Sequence, residues 1–223
     1  MENGKINAAK EAVKYIKNNK VVGLGTGSTS SLFIRFLAER VRNEGLNLVF
    51  VASSKESERL AAENGLRVSD FNEIRKVDVY VDGADAVNSK LELVKGLGGA
   101  LTREKVLAYK ARKFICIVDE SKVREFRDVV VPVEVLQFNY KQVTEQLIRL
   151  GATCSVRMKG DVIYVTDNGN YIVDSKFGEI QNPKKLEKKL KLVPGVVESG
   201  IFGKVSVVIV GNENGVRIMG RGL

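Results

Sequence analysis

The chain has 223 residues, of which 44% are hydrophobic, so it is long enough to bury a sizeable core in one or two domains. No apolar run approaches the roughly 20 residues of a membrane-spanning helix, and the N-terminal segment MENGKINAAK lacks the apolar region of a secretion signal. We therefore expect a cytoplasmic protein. Histidine is absent, which removes the commonest general base and every catalytic triad that uses histidine. Proton chemistry must use carboxylate, lysine, tyrosine or thiol groups.

The formal charge of +9 invites a nucleic-acid hypothesis, because a basic face is the electrostatic footprint of phosphate-backbone binding. Much of the excess, however, is lysine in one short segment, where LEKKLKL interleaves charge with leucine as an exposed amphipathic helix does. A basic protein also attracts small phosphorylated substrates, so charge alone does not separate the two classes. Cys116 and Cys154 lie in apolar contexts without metal-ligand spacing, and we expect buried, reduced thiols.

The first 125 residues alternate helical and strand signals, the pattern of an α/β domain with a largely parallel sheet. Helices are predicted at residues 5–18, at SLFIRFLAERV and at ESERLAAENG, the last closed by Gly65. Buried strands are predicted at VVGLG, LNLVFVA, VDVYVDGAD and FICIVDE. Near Val131 the pattern changes to strand, helix, three short strands and helix, which indicates a small α+β insert. The final strand KVSVVIVG is expected to return to the first sheet.

A glycine loop, Gly25-Thr26-Gly27-Ser28-Thr29, lies between a predicted strand and a helix, where backbone N–H groups and hydroxyls can converge on an anion. The loop lacks the Gly-Lys-Ser/Thr of a Walker A motif, and Ser30 occupies the third glycine position of the dinucleotide fingerprint. The alternative is a tight turn whose serine or threonine only caps the helix. Ser53 and Ser54, after the adjacent strand, are expected at the same edge of the sheet.

VYVDGAD places Asp82 and Asp85 just beyond a buried strand, where paired carboxylates can orient hydroxyls and pass protons. The alternative is that both are turn-forming residues bonded to their own backbone. KGLGGALTREK combines Lys95, a glycine-rich stretch and then Glu104 at a helix start that Thr102 is predicted to cap. Read in isolation, Glu104 is equally a favourable charge at a helix N-terminus, and Lys122 of VDESK an ordinary surface lysine.

Together, GTGST, DGAD, KGLGGALTREK and VDESK resemble ribose-5-phosphate isomerase of type A, in the same order and with compatible spacing. NYIVDSKFG and PGVVESGIF resemble that family's smaller domain and its return to the main one, so the resemblance covers nearly the whole chain. It implies a Rossmann-like, mostly parallel sheet domain formed by residues 1–130 and 202–223. A smaller α+β, ferredoxin-like domain of residues 131–201 is inserted before the last strands.

The resemblance also implies residue roles. It makes Glu104 the proton acceptor. From the needs of the reaction, our hypothesis assigns ring opening and hydroxyl proton transfer to Asp82 and Asp85, and stabilisation of developing oxyanion charge to Lys95. Lys5 reaches the phosphate. The remaining substrate contacts fall to Thr26, Gly27, Ser28 and Thr29, with the 5-phosphate at Ser28 and Thr29, and to a sugar site lined by Asp82, Gly83, Ala84, Asp85, Lys95, Gly96, Leu97, Gly98 and Lys122.

Two positions depart from the family pattern: the usual DGADE reads DGADA, with Ala86, and the usual KGGG reads KGLG, with Leu97. Neither change removes a proposed catalytic side chain. Leu97 bears mainly on how closely the backbone approaches the substrate, so sugar specificity is the implied property that it affects most. The implied activity is aldose–ketose isomerisation in the non-oxidative pentose phosphate pathway, without metal or cofactor. A homodimer or homotetramer without nucleic-acid or membrane partners is expected.

Two other functions stay open at the level of sequence. One is a related sugar-phosphate enzyme such as an amino-sugar phosphate deaminase, which would release ammonia. The other is a catalytically silent sugar-phosphate sensor that regulates transcription. Such a regulator should carry a helix-turn-helix segment, and the sequence shows no separate module for one.

Overall fold

A computed structural model of the chain describes residues 2–220. These residues form two compact units, and each has its own hydrophobic core. The first unit contains residues 2–84, 103–123 and 204–220, and the second contains residues 85–102 and 124–203.

The helices and strands occupy the following ranges. The helices are α1 (Glu2–Lys14), α2 (Ser28–Glu44), α3 (Lys55–Glu63), α4 (Leu101–Lys110), α5 (Tyr140–Arg149) and α6 (Pro183–Lys191). The first strands are β1 (Lys20–Leu24), β2 (Leu48–Ala52), β3 (Val77–Asp82), β4 (Ala86–Val87), β5 (Leu93–Val94), β6 (Ala111–Asp119), β7 (Val130–Val135) and β8 (Thr153–Val156). The later strands are β9 (Met158–Lys159), β10 (Val162–Ile163), β11 (Tyr171–Lys176), β12 (Val196–Ser199), β13 (Ile201–Phe202), β14 (Val207–Asn212) and β15 (Gly215–Gly220).

The first unit is built on a six-stranded sheet in the order β15-β14-β6-β3-β1-β2. All neighbouring strands are parallel except β15, which forms an antiparallel hairpin with β14. The predicted return of the last apolar strand to this sheet is confirmed, since β14 pairs with β6. The edge strand β15 was not predicted, because its partly exposed residues do not form an apolar run.

The buried strands of this sheet alternate between two faces, as the period of two in a strand requires. Val79, Val81, Ile115 and Ile117 face a core that α1 and α2 complete. Tyr80 lies between Val79 and Val81 and therefore faces the other side, where its ring packs 5.1 Å from that of a phenylalanine in β6. Asp82, two residues further, shares the face of Tyr80.

The second unit contains a four-stranded antiparallel sheet in the order β12-β7-β11-β8. The chain order β7, α5, β8, β11, α6, β12 is the β-α-β-β-α-β arrangement of ferredoxin-like domains, as predicted. Val131, Val133 and Val135 project from β7 into a core shared with α5 and α6. A β9–β10 hairpin and a small sheet in the order β13-β5-β4 complete the unit.

The division into units differs from the predicted boundaries at residues 130 and 202. Residues 85–102 and 124–130 also belong to the second unit, as do residues 202 and 203. The reason is pairing and packing: β5 pairs with β13, and Val94, Phe126 and Val129 are buried in the second core. Segments this short carry no local signal of the sheet or core that they join.

Most predicted elements are present with shifted ends. The first helix spans Glu2–Lys14 rather than residues 5–18. Gly65, predicted to close the third helix, follows its C-cap residue Asn64 and has φ +80°. The lysine-rich helix is α6. Cys116 and Cys154 are not disulfide-bonded; Cys116 is buried, as expected, whereas Cys154 is only partly buried. Within residues 2–220, no helix has both the length and the apolar character needed to cross a bilayer.

Candidate active site

The predicted substrate loops follow adjacent strands of the first unit. The glycine loop comes after β1 and the DGAD loop after β3, and β1 and β3 are neighbours at the point where the chain reverses its direction of winding. Open parallel sheets bind ligands at such a switch point, outside the carboxyl ends of the strands. Ser53 and Ser54 follow β2 at the same edge, as predicted. Lys122 ends a short 3-10 turn that follows β6.

The glycine loop leads directly into α2, whose first residue is Ser28. Gly27 adopts φ 103°, a conformation that favours glycine, and α2 has no side-chain cap. The interpretation of the loop as a hydroxyl-capped turn is therefore wrong. Lys5 of α1 donates a hydrogen bond of 3.0 Å from Nζ to the Ser28 hydroxyl. An ammonium group, a hydroxyl and the positive end of a helix thus meet at one point, which suits an anion.

The carboxylate of Asp82 is fully buried and holds the glycine and DGAD loops together. Its Oδ1 accepts hydrogen bonds from the Thr26 N–H at 3.0 Å, the Ser30 hydroxyl at 2.9 Å and the Gly83 N–H at 2.7 Å. Its Oδ2 accepts a hydrogen bond from the Tyr80 hydroxyl. Because a carboxylate offers about four acceptor positions, most of its capacity is used within the protein.

A cluster of hydroxyl groups continues this network beneath the glycine loop. The Thr26 hydroxyl lies 2.7 Å from that of Ser53, 2.8 Å from that of Ser54 and 3.1 Å from that of Ser57. The Ser57 hydroxyl in turn donates to the Gly25 carbonyl at 2.6 Å. Each of these side chains is buried, so the glycine loop rests on a satisfied polar network rather than on apolar packing.

Glu104 lies in the first turn of α4 and is only 3% exposed. Burial raises the pKa of Tyr80 well above its usual value, and the nearby carboxylates of Asp82 and Glu104 raise it further. The negative charges of Glu104 and Asp82 therefore both lie near the Tyr80 phenol.

Thr102 does not cap α4, contrary to the prediction. The helix begins one residue earlier, at Leu101, and the Thr102 hydroxyl donates to Glu134 of β7. Glu134 is fully buried and also accepts hydrogen bonds from the Thr166 hydroxyl at 2.9 Å and the Asn170 amide at 2.9 Å. This carboxylate thus joins the start of α4 to the turn before β11.

The second unit carries Asp85 and the segment Lys95–Gly98. The Leu97 N–H donates to Asp85 Oδ2 at 3.0 Å, so the DGAD and KGLG motifs are joined directly. The Lys95 side chain is only 2% exposed, and its ammonium lies 5.6 Å from the centre of the Phe202 ring. Leu97, the departure from the family pattern, is 49% exposed.

The predicted site residues are therefore distributed over both units. The first carries Lys5, Thr26, Gly27, Ser28, Thr29, Asp82, Gly83, Ala84, Glu104 and Lys122, and the second carries Asp85, Lys95, Gly96, Leu97 and Gly98. The unit boundary passes through the DGAD motif and through the first turn of α4. Among residues 2–220, no group of three or more aspartate, glutamate or cysteine side chains is arranged to hold a metal ion.

Four residues that support these loops were not predicted: Ser30, Tyr80, Glu134 and Arg157, whose guanidinium donates hydrogen bonds to the Gly96 and Leu97 carbonyls. The sequence did carry a signal for Tyr80, because residues two apart in a strand share a face and Tyr80 lies two residues before Asp82. Ser30 was noted only because it occupies the third glycine position of the dinucleotide fingerprint. Nothing in the sequence around Glu134 or Arg157 marks them, since their partners lie far away in the chain.

Comparisons with known proteins agree with these motifs. The model of the ribose 5-phosphate isomerase A (phosphoriboisomerase A) family matches residues 49–215. A ribose-5-phosphate isomerase A of Thermococcus kodakarensis is 43% identical over 219 residues, which cover 96% of each chain. The structure of ribose 5-phosphate isomerase A from Methanocaldococcus jannaschii has a TM-score of 0.91 at 40% identity and covers 97% of this chain and 98% of that one. A D-ribose-5-phosphate isomerase in complex with phospho-erythronic acid has a TM-score of 0.94 at 40% identity, with 97% of each chain covered.

Proposed function

This chain belongs to the ribose 5-phosphate isomerase A family, and we propose on that basis that it interconverts D-ribose 5-phosphate and D-ribulose 5-phosphate through an enediolate. The reaction is a step of the non-oxidative pentose phosphate pathway. The observation that carries the proposal is the similarity over nearly the full length of both chains. The buried Glu104 and the anion-suited glycine loop supply the chemistry that this reaction requires.

Glu104 is the base of the proposed mechanism. Isomerisation needs a group that removes the proton from C2 of the open-chain aldose, leaves an enediolate and returns the proton to C1. A carboxylate can do this in both directions. Because Glu104 is buried, the transferred proton and the reactive enediolate are shielded from bulk water.

Lys95 is proposed to stabilise the negative charge that develops on the sugar oxygens, a role that a buried ammonium group can fill without histidine. Ring opening and hydroxyl proton transfer are assigned to Asp82 and Asp85. Asp82 already accepts hydrogen bonds at both oxygens, whereas Asp85 accepts one from the Leu97 N–H. Asp85 therefore has more acceptor capacity for a sugar hydroxyl, and Asp82 is better suited to holding the loops.

The glycine loop is proposed to hold the 5-phosphate through Ser28, Thr29 and the N-terminus of α2, with Lys5 beside it. Binding energy at the phosphate orients the reacting carbons at the other end of the substrate. A related isomerase binds phospho-erythronic acid, which agrees with a sugar-phosphate substrate for this chain. Such a ligand combines a phosphate with a planar, anionic carboxylate, and the enediolate of this reaction is likewise planar and anionic.

The remaining properties are part of the same proposal. The enzyme works in the cytoplasm, without metal or other cofactor and without a nucleic-acid or membrane partner. It acts as a homodimer or homotetramer. The lysines of α6 then form a solvated helix face, consistent with the alternation of charge and leucine in that helix.

The test is incubation with ribose 5-phosphate in the presence of a chelator, with ribulose 5-phosphate as the measured product. Glu104→Gln should lower turnover by at least about 10²-fold, because general acid–base catalysis contributes about 10²- to 10⁴-fold, while substrate affinity changes little. Glu56→Gln is the matched control, since Glu56 also lies in the first turn of a helix but is exposed.

Three results would contradict the proposal. Turnover of Glu104→Gln close to that of Glu56→Gln would remove Glu104 from the chemistry. Loss of wild-type activity in chelator would contradict the metal-free mechanism. Ammonia release from an amino-sugar phosphate, or salt-sensitive DNA binding without isomerase turnover, would favour the deaminase or the sensor.

A further inference from the structure

The loop that carries Lys95 is rich in glycine and needs external support. Gly96 and Gly99 have φ values of 103° and 83°, in the region that favours glycine. Glycine loses more conformational freedom on folding than any other residue, so a loop of this composition is not rigid by itself. A catalytic group on such a loop keeps its position only if other parts of the protein hold the backbone.

Arg157 provides this support from the segment between β8 and β9. Its Nη1 donates hydrogen bonds to the Gly96 carbonyl at 2.9 Å and to the Leu97 carbonyl at 3.0 Å. The neighbouring Leu97 N–H donates to Asp85, so both sides of one peptide group are held. The Arg157 carbonyl accepts the N–H of Tyr164, whose ring occupies the space that a Cβ on Gly99 would fill.

Asp174 of β11 fixes the guanidinium of Arg157. The two side chains form a two-pronged ion pair, with Nε donating to Oδ2 at 2.9 Å and Nη2 donating to Oδ1. The side chains of Arg157 and Asp174 are only 12% and 21% exposed. An arginine–carboxylate pair of this geometry orients the planar guanidinium, so that Nη1 points to the loop.

The held loop in turn determines where Lys95 lies. The Lys95 N–H donates to the Gly200 carbonyl at 2.8 Å, which anchors the start of the loop, and the two Arg157 hydrogen bonds hold the residues that follow. Lys95 directly precedes the residues that Arg157 holds, and its ammonium lies 5.6 Å from the centre of the Phe202 ring.

We propose that Arg157, oriented by Asp174, is a positioning residue of this isomerase: it rigidifies the loop from Lys95 to Gly99 and so aligns Lys95 for stabilisation of the enediolate. Arg157 does not itself act on substrate. The inference rests on the proposed function only for its kinetic consequence, because the rigidity of the loop can be measured without substrate.

The first experiment measures loop rigidity by hydrogen–deuterium exchange of the peptide that contains Lys95–Gly99. Arg157→Ala and Asp174→Asn should raise its amide exchange at least about 10-fold, because the hydrogen bonds that close the loop are lost or misdirected. Arg127→Ala is the matched control, since Arg127 forms an exposed ion pair with Glu179 in the same unit. Exchange in this peptide that equals the control would overturn the proposal.

The second experiment separates positioning from general stability by kinetics. Arg157→Ala should lower kcat for ribose 5-phosphate by about 10- to 10²-fold, the scale of a misplacement of about 1 Å, with a smaller change in KM. Millimolar guanidinium, far below denaturing concentrations, should restore part of the kcat of Arg157→Ala but none of that of Lys95→Ala. A folded Arg157→Ala enzyme with the kcat of Arg127→Ala, or without rescue, would overturn the proposal.

Failure of the proposed function would look different. Wild-type protein without isomerase activity would refute that function, whereas the exchange experiment would still decide the role of Arg157. If Arg157→Ala does not fold, as judged by circular dichroism, the nearly isosteric Asp174→Asn carries both measurements. Unfolding of both variants would also overturn the proposal, because the pair would then be needed for the fold rather than for placing Lys95.

Discussion

Removal of the hydrogen bond between Tyr80 and Asp82 should lower the stability of the fold, although Asp82 is also a predicted site residue. Tyr80→Phe removes the hydroxyl that donates to Asp82 Oδ2 and leaves the ring packed against Phe114. A hydrogen bond to a charged group contributes about 1.5–3 kcal/mol. Oδ1 of Asp82 keeps its other donors, so the variant should fold with a free energy of unfolding that is lower by about this amount at neutral pH.

The same variant should change the pH dependence of stability in a defined direction. Burial and the carboxylates of Asp82 and Glu104 raise the pKa of Tyr80 above 10.0, its usual value, which applies in the unfolded chain. Above pH 10 the unfolded chain therefore loses the phenol proton while the native protein keeps it. Stability from this source is complete below pH 10 and falls by about 1.4 kcal/mol per pH unit as the pH rises toward the native pKa.

The measurement is urea unfolding of wild type and Tyr80→Phe at a series of pH values from neutral to above 10. The wild type should lose its advantage over the variant at about 1.4 kcal/mol per pH unit above pH 10. Other groups that titrate in this range are common to both proteins and cancel in the difference. Tyr15→Phe is the control for the comparison at neutral pH, because the Tyr15 hydroxyl donates to Glu11 at 3.2 Å at a partly exposed position.

A difference in stability between wild type and Tyr80→Phe that stays constant above pH 10 would refute this reasoning. It would mean that the native protein releases the Tyr80 proton as readily as the unfolded chain does. A neutral-pH difference no larger than that of Tyr15→Phe would show that Asp82 does not depend on the buried phenol.

Two further predictions concern the glycine loop. Gly25→Ala would place a Cβ 2.2 Å from Asp82 Oδ1, and should destabilise the protein by about 1–3 kcal/mol in urea unfolding. Gly83→Ala, whose Cβ would lie 3.7 Å from its nearest neighbour, the Ile117 carbonyl oxygen, should cost much less, and equal losses would contradict the role of close packing. Lys5→Ala should raise KM for ribose 5-phosphate about 10-fold with kcat nearly unchanged, through loss of a charge beside the phosphate. Lys10→Ala, on the same helix, should leave KM at the wild-type value, and a shared effect would indicate general charge attraction instead.

Local sequence patterns were sufficient to predict the parts of this protein that short-range features specify. Apolar strands that end in glycine or aspartate loops predicted the parallel sheet and its ligand-binding edge, because periodicity and turn residues act over a few positions. The glycine loop and Asp82 were each predicted at the end of a buried strand in this way, whereas the pairing of these two strands was not. The choice of Glu104 as the base needed the family resemblance, since its local sequence equally suited a helix terminus.

The distant groups that support these motifs became apparent only from the folded arrangement of the chain. Arg157 lies 61 residues from Gly96 in sequence, and Asp82 lies 52 residues from Ser30, so no local pattern links either pair. Thr102 shows the same limit, because its hydroxyl donates to Glu134 instead of capping α4 as the sequence predicted. The unit boundary within DGAD was likewise set by the pairing and packing of short segments. Local sequence fixes which groups can react, whereas long-range hydrogen bonds and packing fix where they are held.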